Sequence, residues 1–365
     1  MERQIAELIG GCLRDDRAVT VVARSCDVPA HPRLNVHLVS GPAAPLTLAH
    51  PWFELAGSRA LRRYGQGIVH TAGAIVPDKV DVTTVHFCHR AYNALGLRSR
   101  ASRNCAAYRA NARLAAVVAE RSEQWSSRPS RVRAVVAISN GVRREVEEHY
   151  PALRPRLSVI PHGVDLTRFR PDGEKRAKVR SRLGIPRDAC VAAFIGGDWP
   201  RKGLEHAIAA VAHAPTWRLL VVGAGDRGRY ETLAHGLGAA GRVTFAGISP
   251  DPSRELAACD AFMLPSAYET FSLVTYEAAA TGLPLLVTRV SGPDELVVED
   301  RNGWFLGADP KATARRLQRL GDEPELRMRM GAAARKAVLP YNWEAAVRAH
   351  LQLYDSLAEP AGRHH

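Results

Sequence analysis

The feature that most constrains this chain is a series of short apolar, β-branched runs, each about one strand long, set between longer stretches of helical periodicity. In the first part these runs are AVTVVAR (18–24), LNVHLVS (34–40), GIVHTA (67–72), DVTTVHF (81–87) and AVVAIS (134–139). They continue with LSVIP (157–161), CVAAFIGG (190–197), RLLVVGAG (218–225), RVTFAG (242–247), AFMLP (261–265) and LPLLVTRV (283–290). Helical stretches such as EHAIAAVAHA and KATARRLQRLG separate most of them. Strands apolar on both faces, joined by helices, are the mark of parallel sheets covered on both sides. The predicted class is therefore α/β, with doubly wound Rossmann-like sheets. The number of runs and a length of 365 residues exceed one ordinary core, which predicts two domains. The break falls in YPALRPRLSVIPHGVDLTRFRPDG (150–173), rich in Pro, Gly and charge. The expected division is 1–162 and 163–340, then a helix over 341–357 and a disordered tail at 358–365. The helix, YNWEAAVRAHLQLYDSL, gathers Trp343, Ala346, Val347, His350, Leu351 and Tyr354 near one face.

A hydrophobic content of 46% with 24% charged residues is that of a folded chain. No run of 18 apolar residues predicts a spanning helix, and MERQIAELIGGCLRDDR lacks the basic-then-apolar order of a secretory leader. Cys12, Cys26, Cys88, Cys105, Cys190 and Cys259 form no C-x-x-C pair, so free thiols in a reducing cytoplasm are expected. The net charge of +13 is uneven. Residues 1–162 carry 23 Lys+Arg against 13 Asp+Glu, and ten arginines between Arg90 and Arg133 face only Glu120 and Glu123. A solvated surface accounts for that density, as does contact with an anionic membrane or acceptor, a reading that places a cytoplasmic chain at the inner face of the membrane. No nucleic-acid partner is predicted, because the region lacks interleaved aromatics and any helix-turn-helix or finger pattern.

Chemistry concentrates in LPSAYETFSLVTYEAAATGLP (264–284), which reads as a strand end, a loop and a helix stopped by Gly282 and Pro284. Ser272 is the predicted N-cap. Glu269 then lies in the loop beyond a parallel strand, where ligands of open α/β sheets bind, and Glu277 about two turns into the helix. Main-chain amides from Phe271 to Val274 would offer an anion site at the helix start. The segment thus presents carboxylates for hydroxyl groups and amides for phosphate, the two kinds of group in a nucleotide sugar. In FIGGDWPRKGLEHAIAAVA (194–212), Arg201 and Lys202 at a Gly-rich turn suit a diphosphate. VVGAGDRGRY (221–230) places Gly223 and Gly225 after another strand, where main chain can approach a ligand. Its Gly223, Gly225, Gly228 spacing is not read as a dinucleotide fingerprint, since no acidic residue ends a following strand about twenty positions on.

These segments, with AISNGVRREV, SVIPHGVDLTRFRP, VTFAG, NGWFL and YNWEAAV, resemble the retaining glycosyltransferases of family 4, covering residues 135–350 in nearly unbroken order. The glutamate-x7-glutamate element of Glu269 and Glu277 is the most specific match. The resemblance implies the GT-B fold, with the donor in the second domain, the acceptor in the first, and chemistry between them. It implies that Glu277 binds the ribose, Glu269 the donor sugar, and Arg201 and Lys202 the diphosphate. Gly197, Gly223 and the main chain of Phe271, Ser272 and Leu273 would complete the donor site, and main chain near Ile248 would meet the base. Many members have Gly where Ser272 stands. A histidine ending an N-terminal strand contacts the sugar in the family; His86 is the favoured match, with His89 and Asn140 as further sugar or acceptor contacts. His86 satisfied by local bonds is the competing reading, and a zinc site with Cys88 and His89 lacks a second ligand pair. The first strand and glycine loop of the family are missing ahead of MERQIAELIGG, which suggests a start codon chosen too late. No metal cofactor is expected, and the nucleotide sugar, UDP-linked or GDP-linked, is the co-substrate. The acceptor would be lipid-linked, a glycan or a small molecule. A catalytically impaired nucleotide-sugar binder and a nucleotide-sugar epimerase are the alternatives.

Overall fold

A computed structural model of the chain describes residues 2–42, 46–96 and 106–358. The tail beyond 358, Cys105, and Arg98, Arg100 and Arg103 lie outside the described residues. The chain divides into two compact units, Met1–Gly163 with Trp343–His365, and Val164–Asn342.

The first unit runs α1 (Glu2–Arg14), β1 (Val19–Ala23), β2 (Leu34–Leu38), α2 (Leu46–Tyr64), β3 (His70–Thr71), β4 (Val80–Val85), α3 (His89–Ala94), α4 (Ala106–Ser126), β5 (Val132–Ala137), α5 (Asn140–His149) and β6 (Leu157–Val159). Its strands are all parallel, as expected, and hydrogen-bond in two pieces, β1-β2 and β3-β4-β5-β6. Both pieces share a core. Val19 of β1 and Ile68 ahead of β3 pack against Cys12, Val82, Ala134, Val136, Ile160 and Tyr354.

The second unit runs α6 (Gly173–Arg182), β7 (Cys190–Ile195), α7 (Trp199–Lys202), α8 (Leu204–Ala212), β8 (Trp217–Val222), α9 (Arg227–Gly236), β9 (Val243–Gly247), α10 (Pro252–Ala257), β10 (Ala261–Leu264), α11 (Leu273–Ala280), β11 (Leu285–Thr288), α12 (Pro293–Leu296), β12 (Gly303–Leu306), α13 (Pro310–Asp322) and α14 (Pro324–Val338). The chain then returns to the first unit as α15 (Trp343–Ala358), which buries Trp343, Ala346, Val347, His350 and Tyr354. Ser139, Asp172, Asp226 and Asp309 start α5, α6, α9 and α13 by accepting a main-chain N–H.

All six strands of the second unit are parallel, in the order β12-β11-β10-β7-β8-β9. Helices on both faces explain why CVAAFI of β7 and LLVV of β8 are buried almost throughout. β12 lies outside the runs read from the sequence. It is only four residues long, and Gly303 is required there because a Cβ would stand 2.2 Å from the Leu285 carbonyl oxygen. Among the described residues Cys12, Cys26, Cys88, Cys190 and Cys259 are all free.

Candidate functional site

From β7 the chain winds outward through β8 and β9, then returns to the other side of β7 as β10. The two strands pair directly, Ala261 beside Ala192 and Phe262 beside Ala193. Where winding reverses, the connections after adjacent strands part in opposite directions and leave a crevice at their carboxyl ends. The loop after β7 carries Gly196 to Lys202, and the loop after β10 carries Pro265 to Ser272. Both motif-bearing segments therefore flank one switch point. Main-chain bonds align the loops beside them: Gly196 N–H donates to Val222 (2.9 Å), and Gly223 N–H to Gly247 (2.8 Å). Gly197, Gly223 and the 77% exposed Ile248 consequently share one rim with the two motif loops.

Glu269 is 8% exposed, which raises the question of what keeps a carboxylate there. Its Oε1 accepts from Lys202 Nζ at 2.8 Å and from Ser266 Oγ at 2.8 Å, with Arg201 Nη1 at 3.5 Å. Arg201 is itself aimed: Nη1 donates to the Tyr268 carbonyl (2.5 Å) and Nε to Asp198 Oδ2 (2.8 Å). The expected sugar carboxylate and the two expected diphosphate cations thus form one ion-paired cluster. Gly196 makes the cluster possible, because a Cβ there would stand 2.6 Å from Lys202 Cδ.

Ser272 occupies the N-cap position of α11 but does not cap it. Its φ of 59° is left-handed, and its hydroxyl pairs with Thr275 Oγ1 at 2.8 Å instead of accepting a main-chain N–H. A left-handed serine is strained, whereas a glycine would meet no such cost. Asp198, the N-cap of α7, is also left-handed at 48°. The two non-glycine residues therefore bear strain at the two loops of the same crevice. Glu277 is the fifth residue of α11, a little over one turn in and not two, because the helix begins only at Leu273. It is half-buried, while Tyr276, Ala278 and Ala279 around it are fully buried. Phe271 is buried and stacked on Tyr276 with centroids 4.3 Å apart.

Gly223 has a packing reason of its own. A Cβ would stand 2.2 Å from the Gly196 carbonyl oxygen, so packing between the two loops already requires glycine.

The expected residues of the first unit occupy three separate settings. His86 follows β4 and stacks on His162, with centroids 5.4 Å apart. Burial lowers its pKa to about 4, so the ring is neutral. His89 opens α3, where its N–H and that of Arg90 donate to the two oxygens of buried Glu123 at 3.1 Å. Its ring meets Phe87 edge-on, and burial lowers its pKa too. Asn140 is exposed at the first position of α5. Around His86 the unit collects further neutral histidines. His70 meets Tyr354 Oη (2.5 Å) and Thr84 Oγ1 (2.8 Å), and stacks on His350 at 5.7 Å; burial lowers the pKa of His70 and of His162 to about 3.

Three site residues escaped the sequence. Ser266 is buried and donates to Glu269, Thr288 Oγ1 donates to the Ser266 carbonyl at 2.5 Å, and Asp198 orients Arg201. Ser266 stands inside the quoted motif, but a serine after a strand carries no signal of its own. Thr288 closes a neighbouring strand, and only sheet order brings it near.

A family model described as Glycosyl transferases group 1 matches residues 175–337, and one described as Glycosyltransferase Family 4 matches residues 1–168. The D-inositol 3-phosphate glycosyltransferase of Streptomyces avermitilis is 35% identical over 229 residues, 58% of this chain and 49% of that protein. Its namesake in Corynebacterium urealyticum is 34% identical over 244 residues, 60% and 57% of the two chains. The chain thus spans about half the length of the curated relatives it matches. Solved structures share the fold. WaaG, a glycosyltransferase involved in lipopolysaccharide biosynthesis, superposes with a TM-score of 0.78 at 19% identity, over 96% of this chain and 95% of that one. Anabaena HepE, solved with UDP and glucose, superposes with a TM-score of 0.70 at 17% identity, over 97% and 95%.

Proposed function

The chain belongs to the group 1 glycosyltransferases, with the GT-B fold, and from that membership we propose that it moves a sugar from a nucleotide diphosphate sugar to an acceptor hydroxyl with retention. The observation that carries the reading is the meeting of Arg201, Lys202 and buried Glu269 at the switch point of the second unit. Arg201 and Lys202 receive the diphosphate, helped by the amides of Phe271, Ser272 and Leu273 at the start of α11. Glu277 takes the ribose hydroxyls, Glu269 those of the donor sugar, and main chain beside Ile248 the base, with Gly197 and Gly223 on the rim between. His86 is assigned to the donor sugar, and His89 and Asn140 to sugar or acceptor, on the family resemblance.

In the reaction, the acceptor oxygen attacks the anomeric carbon from the face that the diphosphate leaves. The glycosidic bond forms as the sugar–phosphate bond breaks, and the acceptor proton passes to the departing phosphate oxygen. Two cations stabilise the charge that develops on that oxygen, so the chemistry needs no metal ion. Ion pairing with Glu269 holds both side chains in place before the donor arrives, and the diphosphate competes for them.

UDP-linked donors are proposed ahead of GDP-linked ones, in keeping with the UDP bound to HepE. The acceptor is a glycan, a lipid-linked sugar or a small molecule, and the relatives' name adds D-inositol 3-phosphate to those worth testing. Thermal shift across UDP- and GDP-sugars tests the donor site, since binding stabilises by mass action. At least one should raise Tm, and Glu277→Ala should abolish the rise; a panel without any shift overturns the reading. The two-piece sheet of the first unit favours a second reading, a nucleotide-sugar binder without turnover. Donor binding with neither transfer nor slow donor hydrolysis would select it.

A further inference from the structure

Among the ten arginines between Arg90 and Arg133 stand two acids, Glu120 and Glu123 of α4, and among the described residues neither pairs with a guanidinium. Both turn to α3 instead. Glu123 Oε1 accepts from the His89 N–H and Oε2 from the Arg90 N–H, each at 3.1 Å, and Glu120 Oε2 accepts from Asn93 Nδ2 at 2.9 Å. The first pair of bonds replaces an N-cap, from 34 and 33 positions away. Cys88, at the N-cap position, gives α3 no side-chain bond of its own. Glu123 is 7% exposed. A helix of six residues, too short to hold itself in water, is thus tied to the body of the unit through a buried carboxylate.

The tie acts on the link that carries both candidate histidines. β4 ends at Val85, in register with Ala137 of β5, and α3 begins at His89, so His86, Phe87 and Cys88 are the whole connection. The sheet fixes one end of that link and Glu123 fixes the other. His86 and His89 are half-buried and open to a substrate, whereas the carboxylate is closed to one. We propose that Glu123 is a positioning residue for glycosyl transfer: it meets no substrate, and it sets where His86 and His89 present their rings by holding the first turn of α3. The inference rests on the sugar and acceptor roles given above to those histidines. A plain structural brace is the competing account. A brace would serve anywhere along α3, whereas both oxygens of Glu123 go to the two amides next to the link.

The test is side-chain NMR of the histidine rings in the full chain, without substrate. Signals of His86 and His89 are assigned from their loss in His86→Ala and His89→Ala. Both should shift or broaden in Glu123→Ala, and move less in Glu123→Gln, which keeps one acceptor oxygen. They should stay at the parent positions in Arg121→Gln, exposed on the same helix. Signals of His37 and His70, elsewhere in the unit, should hold in all three variants. Should Glu123→Ala fail to fold, Glu123→Gln carries the test. Rings of His86 and His89 that stay unmoved overturn the proposal, and so do signals that move equally throughout the unit, which would leave Glu123 a brace.

Turnover separates the proposal from the reading it rests on. With UDP-glucose as donor and D-inositol 3-phosphate as acceptor, Glu123→Ala should lower kcat about 100-fold. UDP affinity should stay near the parent value, since the nucleotide is assigned to the second unit. In a His86→Ala/His89→Ala background the same change should cost no further factor, and a loss that persists there in full overturns the proposal. A double histidine variant with the parent's kcat would overturn the roles of His86 and His89 themselves, and with them any effect of Glu123 on transfer, even where the ring signals move. Where the parent releases no UDP from this pair, the ring signals decide alone.

Discussion

Replacing Lys202 by methionine should separate the two jobs assigned to that side chain. The side chains of Lys202 and Glu269 are 12% and 9% exposed, so their 2.8 Å contact is a buried pair and not a screened surface one. Removing one member of a buried pair typically costs about 3–5 kcal/mol, because the other charge stays in a low dielectric. Here Glu269 keeps Ser266 Oγ at 2.8 Å and Arg201 at 3.5 Å. Those partners bring the expected loss for Lys202→Met down to about 2–3 kcal/mol. Glu269→Gln removes the stranded charge, so the double variant should recover about 1–2 kcal/mol relative to the sum of the single changes. Urea denaturation followed by both far-UV circular dichroism and fluorescence measures this cycle. Donor affinity should behave differently. It should fall about tenfold or more in Lys202→Met and stay low in the double variant, since no cation has returned to the diphosphate. Additive stabilities, or a single variant within about 0.5 kcal/mol of the parent, would refute the buried pair. Affinity that recovers with stability would refute the diphosphate role.

Three further outcomes follow from the geometry. Ser272→Ala and Ser272→Gly both delete the bond to Thr275 Oγ1, but only glycine relieves the left-handed backbone, so Gly should be more stable than Ala by about 1 kcal/mol in urea melts. Equal stability would show that the backbone relaxes. Arg180 is 3% exposed, donates at 2.9 Å to the carbonyls of Ala258, Pro186, Arg187 and Ala189, and meets Asp260 at 2.7 Å; Arg180→Met should cost about 3–5 kcal/mol by the same measurement. Stability should also fall in acid. His70, His86 and His162 have folded pKa values lowered to about 3, 4 and 3, so below the unfolded value the unfolded chain binds protons that the folded chain refuses. Their contribution is complete above about pH 6.5 and is lost as pH falls toward 4, at about 1 kcal/mol per histidine between pH 6.5 and 5.5. A urea midpoint unchanged from about pH 7.5 to 5.5 would contradict it.

Much of the second unit was legible in the chain because its signals are local. A parallel strand covered on both faces must be apolar throughout, so CVAAFI and AFML announce themselves, and Gly282 with Pro284 stops α11 wherever the chain goes next. β12 was not legible: four residues of Gly-Trp-Phe-Leu are too few for a period, and Leu285 alone explains the glycine. Ser272 reads as a hydroxyl cap because serine usually caps, yet the loop turns left-handed there and sends the hydroxyl to Thr275. Gly223 reads as a ligand position, although the facing Gly196 carbonyl suffices to demand it.

The sequence by itself determined the class of fold, the two motif loops, and which residues could bind a diphosphate and hydroxyl groups. Each of these depends on side-chain type and short spacing. Only the tertiary structure decided that Lys202 and Glu269, 67 positions apart, share one ion pair. Strand order places β7 beside β10, and no local pattern encodes which parallel neighbour a strand will choose. The same holds for the histidines at 70, 86, 162 and 350, gathered from three strand ends and the last helix. Their neutrality comes from burial, which belongs to the packed unit and to no residue alone.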